Sequence, residues 1–241
     1  MNQIVYLNFS SAERKKYIYR IIPLKRLYEL FETTNNVLVK PRKWQDPFEN
    51  LISKSIRMES GIPIEFPYRE NFYGQCWTFK QASDALWRIY SPDGRAVRIR
   101  SRIQTLAESL NRISLSLSDE IFIGKVQYLP TKKILELVKK VGLKSAKPEI
   151  KPFASTLLFK RYAFSHEREV RLLLFKRDDF EDDLFKYQVN PHKLIDHIMM
   201  DPRMSQMEAE KLRSEIRTTT GFKGDIKRSL LYAPPPRILI S

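Results

Sequence analysis

Apolar residues recur along this 241-residue chain with two different periods, and each period predicts one type of element. Alternating or short continuous apolar runs predict β-strands at residues 17–22, 37–39, 75–79, 95–102, 121–129, 170–175, 195–200 and 226–232. Apolar residues spaced three and four apart predict helices after Pro23, Asp46 and Ser83, and at 131–141, 153–162 and 205–218. Since strands and helices mix throughout, the pattern predicts an α+β fold with mixed, mainly antiparallel sheets and flanking helices.

The length and composition predict a folded chain rather than a disordered one. Hydrophobic residues make up 42% of the chain and aromatic residues 12%, whereas disordered segments are poor in both. We expect residues 1–16 to form an N-terminal segment and residues 17–241 to form a single α+β domain.

Membrane and metal proteins are the first classes that the sequence disfavours. No apolar stretch approaches the roughly 18 residues of a spanning helix, and the first residues lack the apolar core of a secretory signal. A cytoplasmic protein without membrane contact is therefore expected. Cys76 is the single cysteine, which excludes an intramolecular disulfide, and the three scattered histidines predict no metal site.

The charge of the chain favours an anionic partner. The 43 basic and 28 acidic side chains give a formal net charge of +15, and the last third is nearly neutral. On the predicted strand 95–102, alternation places Arg98, Arg100 and Arg102 on one face. Such a row attracts phosphates through counterion release, so nucleic acid is the expected partner. A basic protein without any such ligand would show the same composition.

The segment 164–171 carries the most informative charges. In an extended strand, Glu167, Glu169 and Arg171 project from one face because side chains alternate. Two carboxylates beside a guanidinium can carry out acid–base chemistry or stabilise a developing cation. A solvated strand face or an internal ion pair explains the same residues without chemistry. The sequence has no glycine-rich phosphate loop and no GxSxG motif, so Rossmann, P-loop and serine-hydrolase enzymes are not indicated.

These charges belong to an ordered set of short motifs within residues 17–213. The set comprises Tyr19-Arg20, Trp44 to Glu49, Cys76-Trp77-Thr78, Leu86-Trp87 with Tyr90 and Gly94, Val126-Gln127-Tyr128, Glu167-x-Glu169-x-Arg171 and Asp201-Pro202-Arg203. In this order it resembles the bacterial domain-of-unknown-function family twenty-nine seventy-one. Asp201 departs from the family pattern, which has glycine in a Gly-Pro-Arg turn.

The order of Arg20, the Tyr90-Ser91 pair and Glu167-x-Glu169 is similar to the Arg, Ser, Glu pattern of ADP-ribosyltransferases. This resemblance implies an ADP-ribosyltransferase-like fold and an NAD-dependent toxin or phage-defence effector that acts on nucleic acid. It implies Glu169, Glu167 and Arg20 as catalytic residues. The NAD-binding residues that it implies are Arg20, Trp77, Trp87, Tyr90 and Ser91. An antitoxin or another defence-system protein is the protein partner that it implies.

Structural roles compete with these assignments. Ser91 precedes a proline and fits a turn cap, and Arg20 fits a surface ion pair. Trp77, Trp87 and Tyr90 fit a core, because aromatic residues at helical spacing usually bury themselves.

Two other functions fit the same sequence. The first is a non-catalytic nucleic-acid-binding module, in which Arg98, Arg100, Arg102 and the lysine-rich stretch 125–160 contact phosphates. The second is a nuclease that holds Mg²⁺ with Asp46, Glu49, Glu167 and Glu169, although Asp46 and Glu49 also fit a helix capping box. Convergence of Arg20, Tyr90 and Glu169 on one cleft would favour the transferase.

Overall fold

The structure is a computed structural model that describes residues 3–66, 68–113, 115–143, 149–178 and 182–238. The strands are β1 (Ile4–Leu7), β2 (Tyr17–Pro23), β3 (Asn35–Val39), β4 (Ile56–Glu59), β5 (Ile62–Glu65), β6 (Phe72–Thr78), β7 (Ala96–Arg102), β8 (Glu120–Lys125), β9 (Gln127–Leu129), β10 (Phe159–Arg161), β11 (Glu169–Phe175), β12 (Leu184–Gln188), β13 (His197–Met200) and β14 (Asp225–Arg228). The α-helices are α1 (Leu24–Thr33), α2 (Asp84–Tyr90), α3 (Ile103–Asn111), α4 (Thr131–Leu143), α5 (Ile150–Thr156), α6 (Pro191–Leu194) and α7 (Gln206–Thr220). Short 3₁₀-helices lie at Ser11–Lys15, Pro41–Lys43, Pro47–Asn50, Ile52–Lys54 and Tyr162–Glu167.

One large sheet organises the described residues. Its strands follow the order β1-β8-β11-β6-β2-β7-β13-β14, and β3 joins β6 to β12. Most neighbours in it are antiparallel, whereas β1–β8 and β13–β14 are parallel. The predicted α+β class with a mainly antiparallel sheet is therefore confirmed.

The sheet separates two hydrophobic cores, because successive side chains of each strand point to opposite faces. Strand β11 shows this directly, since Val170, Leu172 and Leu174 join a core beneath α1, α3 and α7. Leu173 and Phe175 join a second core on the other face, with residues of α4 and α5. Each fully buried apolar side chain contributes roughly 1.5–3 kcal/mol, so both faces fix this strand in place.

Strands β2 and β6 form a fork in the sheet. They pair at a single position, Tyr19 with Thr78, after which β2 continues along β7 and β6 continues along β11. Arg20 and Trp77 would form the next pair, but the strands have separated there. Because β2 is paired along β7 and β6 is paired along β11, the gap between β2 and β6 is an opening that a ligand can enter.

The structure differs from the prediction in several segments. The helix predicted at 153–162 ends at Thr156, and residues 159–161 form strand β10 instead. The helix predicted after Asp46 is a pair of 3₁₀-helices followed by β4, because Glu49 and Asn50 are buried and the chain turns to place them inside. Helix α3 was missed, although Ile103, Ala107 and Leu110 have helical spacing and are fully buried.

Candidate active site

The fork between β2 and β6 encloses a cavity, here called the fork cavity. Its volume is about 170 Å³. It is lined by Tyr19, Arg20 and Ile21 of β2, Cys76, Trp77 and Thr78 of β6, Leu86 and Tyr90 of α2, and Glu167 and Glu169. Sequence positions far apart in the chain, among them Arg20, Tyr90 and Glu169, therefore meet in one place.

Helix α2 forms one side of this cavity. It begins after Ser83, whose hydroxyl oxygen accepts a hydrogen bond from the Leu86 N–H at 3.3 Å. This cap fixes the first turn and so positions Leu86 against the cavity. Tyr90 lies in the last turn of α2 and is 46% exposed, so its ring can contact an incoming ligand.

A cluster of buried charges contributes Glu167 and Glu169 to the lining of the cavity. The ammonium Nζ of Lys160 lies 2.7 Å from Glu49 Oε1 and 2.6 Å from Glu169 Oε1, and it also binds Glu167. Arg171 donates from Nε to Glu169 Oε2 at 2.7 Å and from one terminal nitrogen to Glu49 Oε1 at 2.9 Å. We call these five residues the carboxylate cluster. All five are less than a tenth exposed, so the charges interact with little screening by water.

The backbone brings both glutamates to Lys160 in an unexpected way. The sequence predicted that Glu167 and Glu169 lie one pleat apart on a strand, and this is wrong for Glu167. Glu167 ends a 3₁₀-helix, Arg168 has a left-handed conformation (φ 45°, ψ 56°), and β11 begins only at Glu169. The left-handed residue redirects the chain so that both carboxylates reach one ammonium.

Neighbouring strands hold this turn in place. The Thr78 hydroxyl donates to the carbonyl oxygen of Glu167, and the Phe79 N–H donates to that of Arg168 at 3.0 Å. The Tyr128 hydroxyl accepts the Glu169 N–H at 2.8 Å. The position of the carboxylates is thus fixed by the end of β6 and by β9.

The two glutamates differ in their protonation. Burial raises the pKa of Glu167, and a hydrogen bond with Glu169 raises it further than Lys160 lowers it. Burial also acts to raise the pKa of Glu169, but Arg171, the bond with Glu167 and Lys160 outweigh burial and lower it. A proton held by this pair therefore resides on Glu167 rather than on Glu169.

Arg20 stands apart from this cluster. Within the described part of the chain its guanidinium has no ion-pair partner, and burial lowers its pKa. Besides burial, Cys76, Tyr187 and Tyr90 act to raise the pKa of Arg20, and Arg26 acts to lower it. Burial raises the pKa of the Cys76 thiol to about 12, so this neighbour is neutral. The charge of Arg20 is left available to an anionic ligand.

The aromatic residues named from the sequence separate into two groups. Trp77 and Tyr90 line the fork cavity, although Trp77 is only 3% exposed and donates its indole N–H to Gln75 at 2.7 Å. Trp87 is 1% exposed and does not line the cavity.

Ser91 also lies outside the cavity lining. It is buried, and its hydroxyl donates to Asp201 Oδ2 at 2.7 Å and accepts the Ala96 N–H at 3.2 Å. Asp201 in turn accepts from Arg203 at 2.6 Å. Asp201 therefore holds the turn at Ser91 in place. Because the Ser91 hydroxyl already donates to Asp201 and accepts from Ala96, it is not available to a cofactor.

The three strand arginines share a face, as predicted, but their surroundings differ. Arg100 forms a 2.6 Å ion pair with Asp196. Arg102 donates to the Lys15 carbonyl oxygen at 3.0 Å and to the Tyr17 hydroxyl at 2.5 Å. Arg98 is 5% exposed, and its guanidinium stacks 4.7 Å above the Tyr19 ring. They do not form an open row of equivalent charges.

The lysine-rich stretch 125–160 is also heterogeneous. Lys125 pairs with Glu13 at 3.1 Å, Lys133 pairs with Glu136 at 3.4 Å, and Lys160 belongs to the carboxylate cluster. Residues 144–148 of this stretch lie outside the described residues.

The acidic residues of the nuclease hypothesis converge only in part. Glu49, Glu167 and Glu169 meet, but the Lys160 ammonium occupies the centre where a cation would sit. Asp46 instead caps a 3₁₀-helix and binds Arg161 at 2.9 Å. In the described ranges no group of three or more His, Cys, Asp or Glu is arranged to hold a metal ion.

The sequence did not predict that Tyr19 lines the fork cavity, or that Lys160 and Glu49 belong to the carboxylate cluster. Lys160 lies seven residues before Glu167 in an apolar run, and a lysine inside such a run was the available signal.

Among the helices of the described segments, none has the length and apolar character needed to cross a bilayer.

Comparison with known proteins gives limited similarity. No protein-family model and no curated protein matches the chain, so the resemblance to family twenty-nine seventy-one stays a prediction. Among solved structures, DarT of Thermus sp. 2.9 in complex with NAD⁺ is 12% identical, with 92% of this chain and 98% of that chain covered and a TM-score of 0.40. The same protein in complex with ADP-ribosylated ssDNA is 11% identical, with 95% and 98% covered and a TM-score of 0.41. TM-scores this low do not establish a shared fold, so function must be inferred from the geometry of the cavity.

Proposed function

We propose that the protein is an NAD-dependent ADP-ribosyltransferase that acts on nucleic acid, as a toxin or phage-defence effector. One observation carries this proposal. The fork cavity is lined both by Arg20, which has no ion-pair partner among the described residues, and by Glu169, whose pKa is lowered, together with the aromatic residues Tyr19 and Tyr90.

The residues of the cavity suit the parts of NAD. NAD supplies an ADP-ribosyl group and a nicotinamide leaving group. Arg20 can bind its pyrophosphate, because a guanidinium without a carboxylate partner recognises phosphate strongly. The rings of Tyr19 and Tyr90 can contact the nicotinamide ring, since aromatic faces attract positively charged rings.

Glu169 has the properties that the transfer requires of a carboxylate. Positive charge develops on the ribose as nicotinamide leaves, and a fixed negative charge stabilises it best in a site sheltered from water. Arg171 and Lys160 each occupy one oxygen of Glu169, at 2.7 and 2.6 Å, and so fix its orientation. A carboxylate has about four acceptor positions, so Glu169 can still accept a bond from a ribose hydroxyl.

Glu167 has a complementary role. Its raised pKa leaves a proton on it beside an ionised Glu169, and two carboxyl groups with separated pKa values are typical of acid–base pairs. We assign Glu167 to the positioning and proton exchange of the acceptor group.

The acceptor is inferred from charge. A formal net charge of +15 attracts polyanions, and Arg98 on β7 stacks on Tyr19, which lines the fork cavity. A nucleic acid bound along this face would reach the mouth of the cavity.

The test is NAD consumption by purified protein with single-stranded or double-stranded nucleic acid present. Glu169→Gln should reduce transfer by roughly a hundredfold or more, about 2.7 kcal/mol, because it removes one preorganised electrostatic contact. Glu167→Gln should cost less. Arg20→Met should weaken NAD binding with a smaller effect on saturated turnover.

The control is Glu108→Gln, which removes an exposed carboxylate of α3 that does not line the fork cavity. It should leave the rate unchanged. Thermal unfolding of every variant separates loss of chemistry from loss of fold. The proposal is wrong if the wild-type protein neither binds nor consumes NAD, or if folded Glu169→Gln reacts at the wild-type rate. For the effector role, expression of the wild-type protein should arrest bacterial growth, and expression of Glu169→Gln should not.

A further inference from the structure

Arg98 is a buried cation that has no ion-pair partner among the described residues. Its side chain is 5% exposed, its Nε has no hydrogen-bond acceptor, and no carboxylate of the described residues pairs with it. Burial lowers its pKa to about 10, so the group is still charged at neutral pH. An uncompensated buried charge destabilises a fold, and a sequence retains one where a ligand supplies the missing charge.

The surroundings of Arg98 are built for an anion. Its guanidinium carbon lies over the Tyr19 ring, 4.7 Å from the ring centroid, and this contact holds the side chain in place. On the adjoining strand β13, the Nδ1 of His197 is buried and also lacks a hydrogen-bond partner. Two unsatisfied polar side chains therefore occur close together on one face of β7 and β13.

This position adjoins the fork cavity. Arg98 pairs with Ile21 across β2 and β7, and Ile21 and Tyr19 both line the cavity. Tyr19 thus lines the cavity and also has the Arg98 guanidinium over its ring. A ligand that fills the cavity and continues over Tyr19 meets Arg98 next.

The neighbouring arginines do not offer the same site. Asp196 neutralises Arg100, and the Lys15 carbonyl and the Tyr17 hydroxyl already accept from Arg102. A phosphate at Arg100 would have to compete with the Asp196 carboxylate, whose Oδ1 lies 2.6 Å from the Arg100 Nε. Arg98 needs no such exchange.

We infer that Arg98, supported by Tyr19, binds one phosphate group of a ligand that extends from the fork cavity. The identity of that ligand rests on the proposed function. The phosphate belongs either to the acceptor nucleic acid or to the dinucleotide, since both carry the same chemistry.

The experiment compares Arg98→Met with Arg112→Met. Methionine keeps the apolar stem of arginine and removes its charge. Arg112 carries the same charge at the exposed end of α3, a helix that packs on the opposite face of the sheet. Binding is measured for three probes: tripolyphosphate, a single-stranded oligonucleotide and NAD. Unfolding temperatures are measured for both variants.

Arg98→Met should lower tripolyphosphate affinity by about tenfold or more, because a charge-assisted hydrogen bond is lost, and Arg112→Met should change it less than about twofold. The unfolding temperature of Arg98→Met should stay the same or rise. Arg98→Lys should retain most of the affinity. If Arg98→Met lowers the affinity for the oligonucleotide but not for NAD, the phosphate belongs to the acceptor nucleic acid. If it lowers the affinity for NAD but not for the oligonucleotide, the phosphate belongs to the dinucleotide.

Three results would overturn the inference. They are no tripolyphosphate binding by the wild-type protein, equal losses in the two variants, and a lower unfolding temperature for Arg98→Met, which would make Arg98 a structural residue. The tripolyphosphate measurement does not need NAD chemistry. An absence of NAD consumption would therefore refute the proposed function while leaving the phosphate site to be decided by its own result.

Discussion

Two buried arginines of the same sheet show how differently a protein can use one side chain. Arg171 on β11 and Arg98 on β7 each stack on an aromatic ring, at 4.4 Å from Trp44 and 4.7 Å from Tyr19. Arg171 also binds Glu169, Glu49 and the Leu157 carbonyl oxygen, whereas Arg98 binds none of the described carboxylates. The donors of Arg171 are used within the fold, whereas the Nε of Arg98 has no acceptor among the described residues.

The same contrast divides the fork cavity. On the β11 side, Lys160 and Arg171 compensate the carboxylates, so that side is complete before any ligand arrives. On the β2 side, the charge of Arg20 has no compensation within the described residues. In the proposed reaction, the ligand brings negative charge to β2 and presents a developing positive charge to Glu169.

The largest expected effect concerns stability. Arg171→Met should lower the free energy of unfolding by about 3–5 kcal/mol, because it leaves Glu49 and Glu169 buried with one cation fewer. Arg98→Met should not lower it. Urea unfolding at pH 7 measures both variants, and adding Glu49→Gln to Arg171→Met should restore part of the loss. Equal losses for the two arginines would refute the distinction between them.

The next effect concerns the pH dependence of stability. The pKa of Glu167 is raised in the fold, so its contribution is complete below the unfolded value of about 4.5 and is lost as the pH rises through the raised value. Over that window stability should fall with rising pH, by at most about 1.4 kcal/mol per pH unit for one proton. Glu167→Gln should flatten this slope.

Glu169 should behave in the opposite sense. Its pKa is lowered, so its contribution is present above the unfolded value and is lost only in strong acid, as the pH falls through the lowered value. Urea unfolding at several pH values distinguishes the two glutamates. A slope in Glu167→Gln equal to that of the wild-type protein would show that another group holds the proton.

The smallest effect concerns the turn between the two glutamates. Arg168 has φ 45°, a left-handed conformation that costs an arginine roughly 1–2 kcal/mol and glycine almost nothing. Arg168→Gly should therefore raise stability by about 0.5–1 kcal/mol after the added freedom of the unfolded chain is subtracted. His166→Gly, in the preceding 3₁₀-helix, should lower stability instead. Loss of stability in both variants would contradict this account of the turn.

Local hydrophobic patterns are enough to predict the fold class and most elements around the site. Strands β2, β6, β7 and β11 follow from local hydrophobic patterns, because each buries a stripe or a continuous apolar run. Arg20, Tyr90, Glu167 and Glu169 were also named from the sequence, and the structure brings them to one cavity.

The pairing of charges, by contrast, depends on contacts between segments that are distant in the chain. Lys160 reaches three carboxylates because a left-handed residue and two 3₁₀-helices redirect the chain, and no periodic pattern encodes such turns. Ser91 is held outside the cavity lining by its hydrogen bond to Asp201, which lies 110 residues away in the chain. By alternation along β7, Arg98, Arg100 and Arg102 are equivalent. Residues distant in the chain bind Arg100 and Arg102, whereas no described carboxylate pairs with Arg98. Local periodicity fixes which face a side chain takes, whereas its electrostatic partners depend on distant segments that meet only in the fold.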